Sequence, residues 1–82
     1  MLATVISEKP TPIHRRKLGY AIRARRSALG LSQERLAELA DVHRNYIGLV
    51  ERGQQNLTVE SLVRIARALN CKASDILRDA GV

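Results

Sequence analysis

The chain has 82 residues, which is enough for one domain at most, because domains typically run to about 100–150 residues. Its hydrophobic content of 45% is too high for a disordered tail, and no stretch approaches the roughly 18 consecutive apolar residues of a transmembrane helix. The formal net charge is +6, and seven of the 14 basic residues fall between Lys9 and Gly30, a stretch without acids. Small basic chains of this kind often bind nucleic acid.

The first part of the chain predicts an arm followed by a helix. Residues 1–12 contain two prolines and no helical period, so we expect a flexible N-terminal arm and one domain over residues 13–82. A 3.6-residue period then predicts a helix that ends before Gly30. Its apolar face is expected to contain Leu18, Ala21, Ile22, Ala28 and Leu29.

The next two helices are short and closely spaced. Ser32 is a favourable N-cap for a second helix from Gln33 to about Ala40, and a tight turn at Asp41 and Val42 follows. A third helix is predicted from His43 or Arg44 to Glu51. The expected buried residues are Leu36, Ala37 and Ala40 in the second helix, and Ile47 and Val50 in the third. Two helices joined by so few residues must cross steeply, as in a helix-turn-helix.

The remaining sequence predicts two more helices. Thr58 caps the fourth, and the fifth runs from about Ala73 to Asp79. The inner faces are expected to contain Leu62, Ile65, Ala66 and Leu69 in the fourth helix, and Ile76 and Leu77 in the fifth. Because no segment shows strand-like alternation, the predicted fold is an all-α, compact five-helix bundle.

The outer face of the third helix is suited to contacting DNA bases. Arg44 and Asn45 can form paired hydrogen bonds with guanine and adenine, respectively, and Leu49 can contact a thymine methyl group. Gly48 is costly inside a helix, by about 1 kcal/mol relative to Ala, so its lack of a side chain is expected to permit close approach. An ordinary solvated helix face is the alternative.

The periodicity also predicts one buried ion pair. Arg26 lies four residues after Ile22, and Glu51 lies four residues after Ile47, so each charge borders an apolar stripe. A buried charge is costly without a partner. We therefore expect Arg26 to pair with Glu51 and to join the third helix to the first.

The sequence gives little support for catalysis. Cys71 is the single cysteine, which suggests a small buried side chain rather than a metal or disulfide framework. His14 and His43 lack metal-ligand spacing, and no phosphate-binding loop or nucleophile elbow is present. We expect no enzyme activity, no cofactor, no metal and no small-molecule ligand.

At residues 29–70 the chain resembles the Cro/lambda-repressor-type (XRE) helix-turn-helix family. The segment reads LGLSQERLAELADVHRNYIGLVERGQQNLTVESLVRIARALN, in which LSQE-LA, YIG, ERG and IA-AL follow one another in the family's order. Within the family, HRNYIG-VERGQQNLTVESL is most similar to the controller proteins of restriction–modification systems. That resemblance implies a homodimeric regulator that binds a palindromic operator in double-stranded DNA.

The resemblance also implies roles for individual residues. It assigns base contacts to Arg44, Asn45, Gly48 and Leu49, and the structural ion pair to Arg26 and Glu51. The residues expected at the DNA backbone are Ser32, Gln33, His43, Tyr46, Arg52, Gln55 and Asn56. Tyr46 could equally serve in packing, and Gln55 stands where controllers commonly have Arg. Asp41 replaces the usual turn glycine, and a left-handed conformation is tolerated by Asp.

The expected function is therefore sequence-specific regulation of transcription by a homodimer, with dimerisation through apolar residues of the last two helices, namely Ile76, Leu77 and Val82. The alternatives are the antitoxin of a toxin–antitoxin pair, a protein-interaction module of the same fold, and an RNA-binding helical protein. Because the first ten residues lack the features of a signal peptide, we expect a cytoplasmic, nucleoid-associated protein without membrane contact.

Overall fold

The computed structural model describes residues 12–82, which contain five helices and no strand. The helices are α1 (Pro12–Ala28), α2 (Gln33–Ala40), α3 (Arg44–Glu51), α4 (Val59–Ala68) and α5 (Ala73–Ala80). The predicted all-α five-helix fold is confirmed. The predicted arm lies outside the described residues except for Pro12, which begins α1, and proline is favourable in a first helical turn. None of these helices is both long and apolar enough to cross a membrane.

The predicted helix caps are present. Ser32 Oγ accepts a hydrogen bond from Arg35 N at 2.9 Å, and Thr58 Oγ1 accepts one from Ser61 N at 3.0 Å. Each satisfies an amide that has no partner within its helix. At the start of α5, where Lys72 takes the cap position, the Asp75 carboxylate accepts from Lys72 N at 2.9 Å.

An aliphatic core joins all five helices. α1 packs against α3 and α5, α4 packs against α2 and α5, and α2 packs against α3. The largest fully buried side chains are Ile22, Leu36, Ile47, Val50, Ile65 and Ile76. The inward residues predicted for α2, α3 and α4 are all buried.

Three predictions about apolar residues are wrong. Leu29 is 48% exposed and Ala28 is also exposed, because α1 ends at Ala28 and the chain then turns, so that Leu31 packs against the core instead. Ile76 is fully buried within the domain, so it cannot contribute to a dimer surface as predicted. Ile76 lies on the side of α5 that packs against α1 and α4.

The turn between α2 and α3 has the predicted left-handed residue. Asp41 has φ 59° and ψ 48°, and Val42 N donates to Ala37 O at 3.0 Å, which closes the end of α2. Arg64 Nη1 of α4 donates to the carbonyl of Asp41 at 3.1 Å. The bond from α4 holds the turn that sets the angle between α2 and α3.

A glycine allows α1 to cross the end of α3 at backbone distance. A Cβ atom on Gly19 would collide with the carbonyl oxygen of Val50 and would lie 2.7 Å from that of Glu51. Contacts this short are not possible for a real side chain. Gly19 therefore sets the separation of α1 and α3, on which the geometry of the site described next depends.

Candidate nucleic-acid interface

The N-terminus of α2 presents polar groups to solvent. Ser32 has an extended backbone and caps the helix, so the exposed side chains of Gln33 and Glu34 form its first turn. Backbone N–H groups at a helix N-terminus are suited to binding a phosphate. The structure thus positions Ser32 and Gln33 where a DNA backbone could contact them.

The N-terminus of α3 is capped by a histidine side chain. His43 Nδ1 accepts a hydrogen bond from Asn45 N at 3.1 Å, so His43 is the N-cap of α3. The cap leaves Arg44 and Asn45 exposed in the first helical turn. Both side chains therefore lie at the exposed end of the helix, where a base contact requires them.

A shallow groove of about 340 Å³ runs across the outer face of α3. Its lining combines four predicted base-contacting residues with two predicted backbone-contacting ones: Gln33, Arg44, Asn45, Gly48, Leu49 and Arg52. Residues from two helices therefore meet on one surface.

Gly48 lies at the floor of this groove but is not itself exposed, contrary to the prediction that it faces outward. An added Cβ atom would lie 3.3 Å from Arg52 Nη1 and 3.6 Å from Gln33 Oε1. The two long side chains cover the glycine. Its lack of a side chain consequently lets Gln33 and Arg52 lie close to the helix, and direct approach by a base would require them to move.

Behind the groove, Arg26 and Glu51 form a two-point ion pair. Arg26 Nε is 2.6 Å from Glu51 Oε2, and Arg26 Nη2 is 3.0 Å from Glu51 Oε1. The side chains are only 13% and 3% exposed. Arg26 Nη1 also donates to Leu31 O at 2.7 Å, and the hydrogen bond to Glu51 raises the pKa of the Arg26 guanidinium.

The ion pair extends to the surface through Gln33. Gln33 Nε2 donates to Glu51 Oε1 at 2.9 Å, so this carboxylate oxygen accepts from α1 and α2 while it belongs to α3. The bond orients a side chain that would otherwise rotate freely at the start of α2. The buried pair thereby connects the core to a residue of the groove.

The two arginines of the groove have different partners. Arg44 Nη1 is 2.7 Å from Glu34 Oε2, and Arg52 Nε donates to Gln54 Oε1 at 3.2 Å. Glu34 and Gln54 were not among the predicted site residues. The Arg44–Glu34 contact joins two helices and depends on how they cross, whereas the Arg52–Gln54 contact is local, between residues two apart just after α3.

The remaining predicted backbone-contacting residues lie outside the groove. Tyr46 is half-buried and packs against the core, Gln55 is half-buried, and Asn56 is exposed in the segment between α3 and α4. None of the three lines the groove. Tyr46 therefore has a packing role, whatever else it contacts.

The helix-turn-helix family HTH_3 matches residues 22–76, which include this entire groove. The chain belongs to this helix-turn-helix family. It is a DNA-binding regulator of transcription rather than an enzyme.

Known relatives agree with this assignment. The chain is 43% identical over 65 residues to the control protein C.SmaI of Serratia marcescens, which covers 79% of this chain and 77% of the relative. Its fold is similar to that of the clp gene regulator ClgR from Corynebacterium glutamicum, with a TM-score of 0.82, 33% identity and coverage of 88% of this chain and 77% of ClgR. The fold of this chain is also similar to that of the restriction–modification controller protein C.AhdI from Aeromonas hydrophila, with a TM-score of 0.75 and 40% identity. The match covers 76% of this chain and 94% of C.AhdI.

Proposed function

We propose that this helix-turn-helix protein is a homodimer that binds a palindromic operator in double-stranded DNA, as a restriction–modification controller does. The observation that carries the proposal is the groove, in which Arg44 and Asn45 at the start of α3 adjoin Gln33 and Arg52. The relatives named as control and controller proteins support the narrower assignment.

In this proposal, α3 enters the major groove with its N-terminus foremost. Arg44 would contact guanine O6 and N7, Asn45 would contact adenine N6 and N7, and Leu49 would lie against a thymine methyl group. Arg44 uses one terminal nitrogen for Glu34, and a guanidinium has five N–H donors, so donors remain for a base edge. Gly48 contributes indirectly, by leaving space for its two neighbours.

Contacts to phosphates would position α3 without reading the sequence. Ser32 and Gln33 at the start of α2, His43 at the start of α3 and Arg52 at its end are all exposed, and Asn56 is exposed beyond α3. Tyr46 and Gln55 are half-buried, which leaves them a smaller contact area. The net charge of +6 favours the approach of this chain to a polyanion such as DNA.

The second protomer would pack on the apolar residues of α4, α5 and the C-terminus. Val59 is 77% exposed and Val82 is 51% exposed, while Leu77 is half-buried. A two-fold dimer would set its recognition helices in successive major grooves, about 34–36 Å apart. Sedimentation equilibrium is expected to give twice the mass of 9.1 kDa.

Selection from a pool of random duplexes tests the proposal and yields the operator sequence in the same experiment. The enriched sequences are expected to contain an inverted repeat with half-sites about one helical turn apart. Binding to that site should weaken steeply with salt, because phosphate contacts release counterions. An enriched site without two-fold symmetry would contradict the homodimer, and the absence of any enrichment would contradict sequence-specific binding.

A further inference from the structure

The acidic side chain of Glu34 forms an ion pair with Arg44, the main candidate for contacting DNA bases. Glu34 Oε2 lies 2.7 Å from Arg44 Nη1, and the two side chains are 68% and 66% exposed. Glu34 is in the first turn of α2 and Arg44 is in the first turn of α3. The pair therefore bridges the two helices on the surface that the groove opens onto.

The contact restricts where the Arg44 side chain can go. An unrestrained arginine is long and flexible and can reach a phosphate on any DNA sequence. With one terminal nitrogen bonded to Glu34, Arg44 can swing to a phosphate away from this position only by giving up that bond. Its remaining donors can still meet a guanine edge, since the guanidinium plane presents two nitrogens side by side.

The charge of Glu34 acts in the same direction. A carboxylate at the DNA-facing side of a basic domain is repelled by phosphates, whatever the base sequence. On a matched site, the base contacts of Arg44 compensate for that repulsion. On an unmatched site Arg44 has no base partner, and it can swing to a phosphate only by giving up Glu34, which leaves that carboxylate unpaired beside the DNA backbone.

We infer that Glu34 is a specificity-determining residue, which weakens binding to unmatched DNA more than binding to the operator. The inference rests on the proposed function, since it takes Arg44 as a base-reading residue. It assigns a role to an acidic residue that makes no favourable contact with DNA itself.

Glu38 supplies a matched control on the same helix. Glu38 is also exposed and bonded to an arginine, but its partner is Arg35 and neither residue lines the groove. Glu34→Gln and Glu38→Gln each remove one negative charge and preserve side-chain length. Any difference between the variants therefore reports the contact with Arg44 rather than the net charge.

The experiment measures the affinity of each variant for a scrambled duplex and for the selected operator at several salt concentrations. Relative to Glu38→Gln, Glu34→Gln is expected to bind the scrambled duplex about two- to fivefold more tightly, the range that one exposed ion pair supports. Its salt slope on scrambled DNA should become steeper by about one, because Arg44 gains a phosphate. Operator affinity should change less, so that the ratio of the two affinities falls.

Repeating the substitution in an Arg44→Ala background isolates the pair. The extra gain of Glu34→Gln over Glu38→Gln is expected to disappear there, and its persistence would overturn the inference. Equal effects of the two glutamine variants in the wild-type background would also overturn it. Because the scrambled-duplex comparison needs no operator, a protein without an operator would fail the proposed function, while this comparison would still decide whether Glu34 keeps Arg44 from phosphates.

Discussion

Removal of Glu51 should destabilise the whole domain, although the residue belongs to a helix with an exposed outer face. Glu51→Ala leaves the Arg26 guanidinium, which is 13% exposed, with only the Leu31 carbonyl as a partner. Loss of one member of a buried ion pair typically costs about 3–5 kcal/mol. The lower part of that range applies here, because Arg26 keeps the bond to Leu31 and a small contact with water.

The exposed pair of Arg35 and Glu38 provides the comparison. Its side chains are 55% and 69% exposed, so Glu38→Ala should lower the free energy of unfolding by about 0–1 kcal/mol. Urea denaturation followed by circular dichroism measures both variants. A lower midpoint with an unchanged slope is expected for Glu51→Ala, since the slope depends on the surface exposed by unfolding.

Two further variants separate the charge from the shape of the side chain. Glu51→Gln keeps one oxygen for Arg26 and should be less destabilised than Glu51→Ala. Replacing both partners by methionine should cost less than Glu51→Ala, because no unpaired charge then remains buried. Equal midpoints for Glu51→Ala and Glu38→Ala would refute the reasoning, since they would show that Arg26 and Glu51 contribute no more than a solvated pair.

Three other predictions concern the groove, the packing of α1 and the start of α5. Gly48→Ala should raise the free energy of unfolding by up to about 1 kcal/mol, because alanine has the higher helix propensity, and thermal melting measures this. The same substitution should weaken DNA binding, measured by duplex titration, because Arg52 must shift by a few tenths of an ångström. Gly19→Ala should lower the free energy of unfolding by about 1–3 kcal/mol, because the added methyl group meets the main chain of α3 and not a movable side chain. The hydrogen bond from Lys72 N lowers the pKa of Asp75 from its ordinary 3.8. The ionised Asp75 carboxylate therefore stabilises the fold fully above about pH 3.8, and this stabilisation is lost as the pH falls through the lowered pKa. The stability difference between wild type and Asp75→Ala should therefore shrink in acid, and a constant difference down to pH 2 would contradict this.

Much of the fold follows from local signals in the sequence. Ser32 and Thr58 mark helix starts because their hydroxyl groups satisfy free amides, and Gly53 follows the end of α3 with a positive φ of 73°. The relation of Arg26 to Glu51 could be inferred because each charge borders a buried isoleucine on its own helix. These signals do not depend on how the helices are arranged in space.

The errors arise where tertiary structure overrides periodicity. Leu29 continues the apolar period of α1, but the helix has already ended, and Leu31 packs in the core instead. Ile76 is predicted both to face inward and to contribute to dimerisation, and its complete burial confirms the first prediction and contradicts the second. The hydrophobic period of a single helix does not show how many apolar side chains it buries together with its neighbours, here α1, α4 and α5.

In the site, too, local features could be predicted from the sequence, whereas contacts between helices could not. Arg44 and Asn45 could be assigned to an exposed first turn from the buried positions of α3. The bonds from Glu34 to Arg44 and from Gln33 to Glu51 could not, because they depend on the crossing of α2 and α3. Of the two side chains that cover Gly48, that of Gln33 could not be inferred because it comes from α2, whereas Arg52 lies four residues after Gly48 on the same face of the chain.

The most direct test of sequence reading compares Arg44→Ala with Arg52→Ala on the selected operator and on a scrambled duplex at one salt concentration. Arg44→Ala should lose about 1–3 kcal/mol on the operator, lose much less on the scrambled duplex, and relax the preference at one base position in each half-site. Arg52→Ala should weaken binding to both duplexes by similar factors, as expected for a phosphate contact. If Arg44→Ala weakens both duplexes equally, then Arg44 contacts a phosphate, and the proposed entry of α3 into the major groove is wrong.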